Sequence, residues 1–149
     1  MMILRWILLA LTLEVLVVPP VIGQQSPRNN TRYSYTASDT VFVFVHGIFS
    51  NSEDCWTSPS RKYWPEILDQ DPRFDKPNIF LGGYYTDASS GLYGIRNAAD
   101  ELLSHLRVRD PKGIPAPLTP PRIVFIAHST GGLVVRYLIE RNQELLIFA

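Results

Sequence analysis

An unbroken apolar run, Ile123-Val124-Phe125-Ile126-Ala127, passes directly into His128-Ser129-Thr130-Gly131-Gly132. Five apolar residues without polar alternation, β-branched and aromatic ones among them, read as a strand buried on both faces. From Leu133 to Arg141 the pattern becomes that of a helix. Strand and helix must therefore be joined by a corner of only a few residues. That corner is A-x-S-x-G, one methyl group away from G-x-S-x-G, a pattern of sharp strand-to-helix turns. The two backbones approach closely there, so the positions two before and two after the serine tolerate little side chain. Gly131 meets that demand, and Ala127 adds only a Cβ. The serine hydroxyl would project above the sheet, and the first N–H groups of the helix would point at negative charge forming beside it. A plain strand-ending turn has the same Ser-Thr-Gly-Gly composition, so these residues alone leave both readings open.

At 149 residues the chain has the size of one ordinary domain. With 46% hydrophobic and 19% charged residues it groups with globular rather than disordered chains. Lysine plus arginine equals aspartate plus glutamate at 14 each, and no basic stripe is visible, which argues against a nucleic-acid partner. The single cysteine, Cys55, excludes a disulfide within the chain. It reads as a small buried side chain rather than a reactive thiol. No metal or cofactor motif is present, so no cofactor is expected.

Residues 1–23 have the grammar of a signal peptide: Arg5, an apolar run from Trp6 to Val18, a Pro19-Pro20 break, then Val21-Ile22-Gly23. Glu14 interrupts the run, which is also shorter than the ~20 residues of a comfortable membrane span. The segment is therefore expected to be a secretory signal peptide or an N-terminal anchor, with membrane association through residues 3–18. The protein would be secreted or membrane-associated, or cytoplasmic if the start codon is misassigned. Residues 24–39 read as a polar linker with a glycosylation acceptor at Asn29-Asn30-Thr31.

Residues 40–149 read as one domain. Thr40–Val45 is a second strand buried on both faces, ending in His46-Gly47-Ile48-Phe49-Ser50. Gly47 permits a turn that a Cβ would resist. Residues 60–70 read as a helix with Tyr63, Trp64, Ile67 and Leu68 on one side, and residues 78–85 as a strand. Residues 92–108 form the clearest amphipathic helix, with Ile95, Ala99, Leu102 and Leu106 inward. The proline-rich residues 110–121 are an irregular connection. Strand and helix thus alternate three times, which predicts the α/β class: a parallel sheet with flanking helices on both faces. Sites in such sheets lie at the carboxyl ends of strands, so His46-Gly47 and Ser129 share one rim.

On these motifs the chain resembles the first part of an α/β-hydrolase of the lipase and serine-esterase type. It is most similar to the PGAP-like and SERAC-like serine esterases. The resemblance is carried by Phe44-Val45-His46-Gly47-Ile48-Phe49, Trp56, Trp64-Pro65 and Ile126 to Val134, and covers about residues 40–142. It implies that Ser129 is the nucleophile at a nucleophile elbow. The backbone N–H groups of Ile48 and Thr130 would form the oxyanion hole, supported by His46, Gly47 and Gly131. It also implies a carboxylic ester as substrate, an acyl or lipid ester. His46 is expected to order the oxyanion loop rather than act as a base. The His128 side chain is expected to point away from the serine, and His105 to lie exposed on its helix. Trp56, Trp64, Tyr84, Tyr85 and Phe49 read as core residues or as the lining of an acyl pocket.

In that fold the acid and the histidine follow the serine. After Ser129 come Glu140 and Glu144 but no histidine. Both glutamates lie on or beyond the helix leaving the corner, and Asp87 is an alternative acid at a strand end. The expectation is a partial α/β-hydrolase fold, truncated and lacking the later strands, whose third strand has one uncovered edge. Three readings follow: a serine hydrolase whose acid and base lie elsewhere, a non-catalytic hydrolase-like binding module, or an inactive gene remnant.

Overall fold

A computed structural model describes residues 31–52, 54–86 and 93–146. The expected signal or anchor segment, the apolar run 3–18, Asn29 and Asp87 lie outside the described residues. Four strands, β1 (Thr31–Ser34), β2 (Thr40–Val45), β3 (Asn78–Gly82) and β4 (Arg122–Ala127), form one sheet in the order β1-β3-β2-β4. β2 pairs in parallel with both β3 and β4, whereas β1 pairs antiparallel with β3.

The central position of β2 explains its unbroken apolar sequence. Val41, Val43 and Val45 face a core built with α2 (Ile95–Arg107) and α3 (Thr130–Arg141). Phe42 and Phe44 face the other way, onto Trp56, Ile79, Leu81 and, from α1 (Trp64–Gln70), Leu68. Helices therefore cover both faces of a three-stranded parallel unit, the α/β architecture that the alternation predicts.

Within the stretch read as linker, Thr31–Ser34 is an edge strand. Its β-favouring Thr31 and Tyr33 are embedded in polar sequence, and the pairing partner lies about fifty residues away, so local pattern conceals it. The helix expected from residue 60 starts only at Trp64. Pro65 occupies its first turn, and Ser58 to Arg61 is taken up by a turn closed by Arg61 N–H to Ser58 O and Ser58 N–H to Lys62 O. Pro65 and Leu68 are its buried residues, while Trp64 and Ile67 are exposed, contrary to the face expected. β3 stops at Gly82, three residues early, and Tyr84 turns toward the loop after β2.

Buried Asn78 gives β3 its starting point. Its Nδ2 donates to Ser38 O at 2.7 Å and Thr40 O at 3.1 Å, and its Oδ1 accepts from Thr36 N–H at 3.0 Å. These bonds pin the approach to β2. At the far side, the outer edge of β4 pairs with no strand among the described residues, and Val124 is 39% exposed. No helix among the described residues is long and apolar enough to cross a membrane.

Candidate active site

β4 ends at Ala127 and α3 begins at Thr130, so two residues make the corner. Ser129 stands at φ 54° and ψ −126°. Non-glycine residues rarely adopt such backbone, which costs of order 1–3 kcal/mol. The surroundings over-determine it. His128 N–H donates to Val45 O at 3.0 Å, carrying the β2–β4 ladder past the strand end, and Gly131 N–H bonds His128 O at 3.0 Å. A Cβ on Gly131 would stand 2.4 Å from Val45 O and 2.5 Å from His46 O. Only glycine allows α3 to sit that close to β2. Ala127, by contrast, is exposed. The Ser129 side chain is exposed on the carboxyl rim of the sheet.

The loop after β2 meets this corner. A Cβ on Gly47 would lie 3.0 Å from Ser129 Cβ and 3.2 Å from His128 Nδ1. The imidazole of His128 therefore turns back toward the spot that the serine Cβ also borders. His128 Nδ1 is also 3.4 Å from Cys55 Sγ, and its ring meets Trp56 edge-on. Cys55 is half-buried rather than buried.

His46 is 2% exposed. Its Nδ1 bonds Gly47 O at 2.8 Å and its Nε2 accepts Tyr84 N–H at 3.3 Å, which assigns the proton to Nδ1. Tyr84 stacks on the ring at 4.5 Å and donates its hydroxyl to His46 O at 2.7 Å. Burial holds the His46 pKa below its usual value, against the opposing pull of the Gly47 bond and the Glu101 charge. The Nε2 lone pair of His46 already accepts the Tyr84 N–H, and burial disfavours its protonation. Because the peptide unit is planar, holding Gly47 O toward His46 turns the Ile48 N–H away from that ring. The Ile48 N–H and the Thr130 N–H take no hydrogen-bond partner among the described residues.

The remaining acids and bases are elsewhere. Glu140 pairs with Arg136 at 2.7 Å and Glu144 with Arg107 at 3.2 Å. His105 is half-buried on α2, not exposed as expected. Of the expected aromatics, Trp56 and Trp64 line a cleft of about 290 Å³ beside His128. Tyr84 is committed to His46, and Phe49 is 74% exposed. The family model described as "Putative serine esterase (DUF676)" matches residues 36–147. The chain belongs to this serine-esterase family. The match spans β2 to the end of α3 and so includes the Gly47 loop, the cleft and the Ser129 corner. No curated protein and no solved structure matches the chain.

Proposed function

We propose that this family member is a hydrolase of carboxylic esters in which Ser129 is the nucleophile. The observation that carries the reading is the strained backbone of Ser129 on an exposed corner, next in the chain to a Thr130 N–H that has no partner among the described residues. Ser129 Oγ attacks the ester carbonyl carbon, and the carbonyl oxygen takes the negative charge. The Ile48 and Thr130 N–H groups donate to that oxyanion, each worth about 3 kcal/mol in the transition state. A base takes the hydroxyl proton and returns it to the departing alcohol. Water then hydrolyses the acyl-serine. In this fold the acid and the base follow the serine in chain order. The apolar cleft beside His128 supports an acyl or lipid ester as substrate. Membrane contact through residues 3–18 and a secreted or membrane-associated location belong to the same reading, resting on Arg5 and the apolar run alone.

The test is labelling with a fluorophosphonate, read by intact mass and peptide mapping. The expected result is one adduct, on Ser129, absent from Ser129→Ala. An adduct that persists in Ser129→Ala would remove the assignment.

A non-catalytic acyl-binding module is the second reading. It is favoured by the engagement of both His46 nitrogens and the pairing of Glu140 and Glu144 with arginines. It predicts ligand binding without any fluorophosphonate adduct.

A further inference from the structure

β1 runs antiparallel to β3, with Thr31 opposite Leu81 and Ser34 opposite Ile79. β3 is parallel in sense to β2 and β4, so its end at Leu81 and Gly82 lies on the rim that carries Ser129. The chain therefore enters the domain on the serine's rim. Three strand spacings, about 15 Å, separate β1 from β4. Ahead of Thr31 come residues 19–30, and ahead of those the apolar run that ends at Val18.

The two rims of the sheet expose different side chains. On the serine's rim, Ile48 and Phe49 follow β2, Leu133 stands in the first turn of α3, and Trp64 opens α1; all four are exposed. Phe49 holds a left-handed backbone, φ 57°, that bulky residues rarely adopt, and its ring still lies in solvent. Arg61 and Lys62 are exposed in the turn just before α1. The opposite rim carries ion pairs instead: Arg122 with Asp39, Arg107 with Glu144, Arg73 with Asp71 and Lys76 with Asp69. Val108, 61% exposed there, stands between Arg107 and Arg109.

We infer that the Ser129 rim docks on the surface of a phospholipid bilayer. Ile48, Phe49, Leu133 and Trp64 enter the acyl boundary, and Arg61 and Lys62 meet headgroup phosphates. The inference rests on the membrane contact proposed for residues 3–18 and adds which face of the domain meets the bilayer. With residues 3–18 held in a bilayer, residues 19–30 reach at most about 40 Å. Turning the opposite rim to the bilayer would draw that connection along the whole sheet, about 20 Å for the six residues of β2 plus the loops at either end. Such stretching removes most of the connection's conformational freedom. Presenting the serine's rim needs none of it. The exposed side chains supply the attraction, because their apolar surface leaves water at the acyl boundary. An indole and long cationic side chains suit the headgroup level. The opposite rim would instead have to strip water from its ion pairs.

The test uses the full chain with Cys55→Ser, which leaves no other cysteine, and a bimane label at Phe49→Cys or at Lys112→Cys on the opposite rim. Vesicles are equal parts phosphatidylcholine and phosphatidylglycerol, the former brominated in the upper acyl chain. The protein is expected to float with the vesicles, with strong quenching of the label at 49 and little at 112. Leu133→Asp with Trp64→Asp, both at exposed positions, should at least halve the quenching at 49 while flotation persists. Failure to float overturns the membrane contact of residues 3–18, and the docking with it. Flotation with equal quenching at the two labels, or with quenching at 49 unchanged in the double variant, overturns the docking and leaves the membrane contact standing. Shielding of the label at 49 by raised protein concentration without vesicles would assign the rim to a second copy of the chain and overturn the bilayer as its partner.

Discussion

The carbonyl oxygen of Val45 stands 2.4 Å from the point where a side chain on Gly131 would begin. That spacing ties the first turn of α3 to the end of β2 and leaves the intervening Ser129 no relaxed backbone. Gly131→Ala should therefore cost about 2–3 kcal/mol, since the obstacle is backbone and cannot rotate away. Gly132→Ala is the control. Nothing lies within 4 Å of its Cβ position, and inside a helix the change should be neutral or stabilising by up to about 1 kcal/mol. Thermal unfolding of the two variants checks both signs.

Ser129→Gly should raise stability by about 1 kcal/mol, because glycine accepts a positive φ that serine resists. The same change should abolish the fluorophosphonate adduct. Ser129→Ala should lose the adduct with stability unchanged, since it keeps the strain. A Ser129→Gly protein no more stable than Ser129→Ala in denaturant titration would mean that the corner is not strained.

His46 is buried neutral, with a pKa below its usual 6.5. Below that value the unfolded chain binds a proton that the native state refuses, so stability is full above about 6.5 and falls as pH falls. The Tm should drop between about pH 7 and pH 5. His46→Gln should lower the Tm at neutral pH yet flatten this slope.

Tyr84 behaves oppositely at the alkaline end. Burial, helped by negative charge at Cys55, pushes its pKa up to about 12. The native state holds this proton more tightly than the unfolded chain does, so the stabilisation is present below pH 10 and lost as pH rises toward 12. Ultraviolet titration should show one tyrosine ionising late. Tyr84→Phe should remove that step and cost about 1 kcal/mol, the bond to His46 O.

The outer edge of β4 predicts self-association. Val124→Lys places a charge on an exposed apolar position of this strand. Concentration-dependent light scattering should decrease in that variant, with little change in Tm.

Part of this was legible in the residues alone. Thr40–Val45 announces a doubly buried strand because it lacks polar alternation, and Gly131 announces a close approach because it follows a serine at a strand end. Ile123–Ala127 has the same pattern and is a strand, yet it is not buried on both faces: β4 is an outer strand, and its residues are half-buried or exposed. Thr31–Ser34 was not legible, for its partner is distant in the chain and its residues are polar. Asn78 gave no local signal either, since its three bonds go to backbone some forty residues away. The inward face of α1 was misread because Pro65 moved the helix start and so reset which side chains meet the sheet.

The sequence by itself determined the strand–helix alternation, the place of the corner and the serine on it. These follow from periodicity and steric size, which act between neighbours in the chain. Only the tertiary structure decided that His128 turns toward Gly47, that His46 spends both nitrogens on the loop, and that Trp64 walls a cleft instead of filling the core. Those outcomes depend on which backbone passes within 3–4 Å of a given side chain, a distance set by packing between segments far apart in sequence.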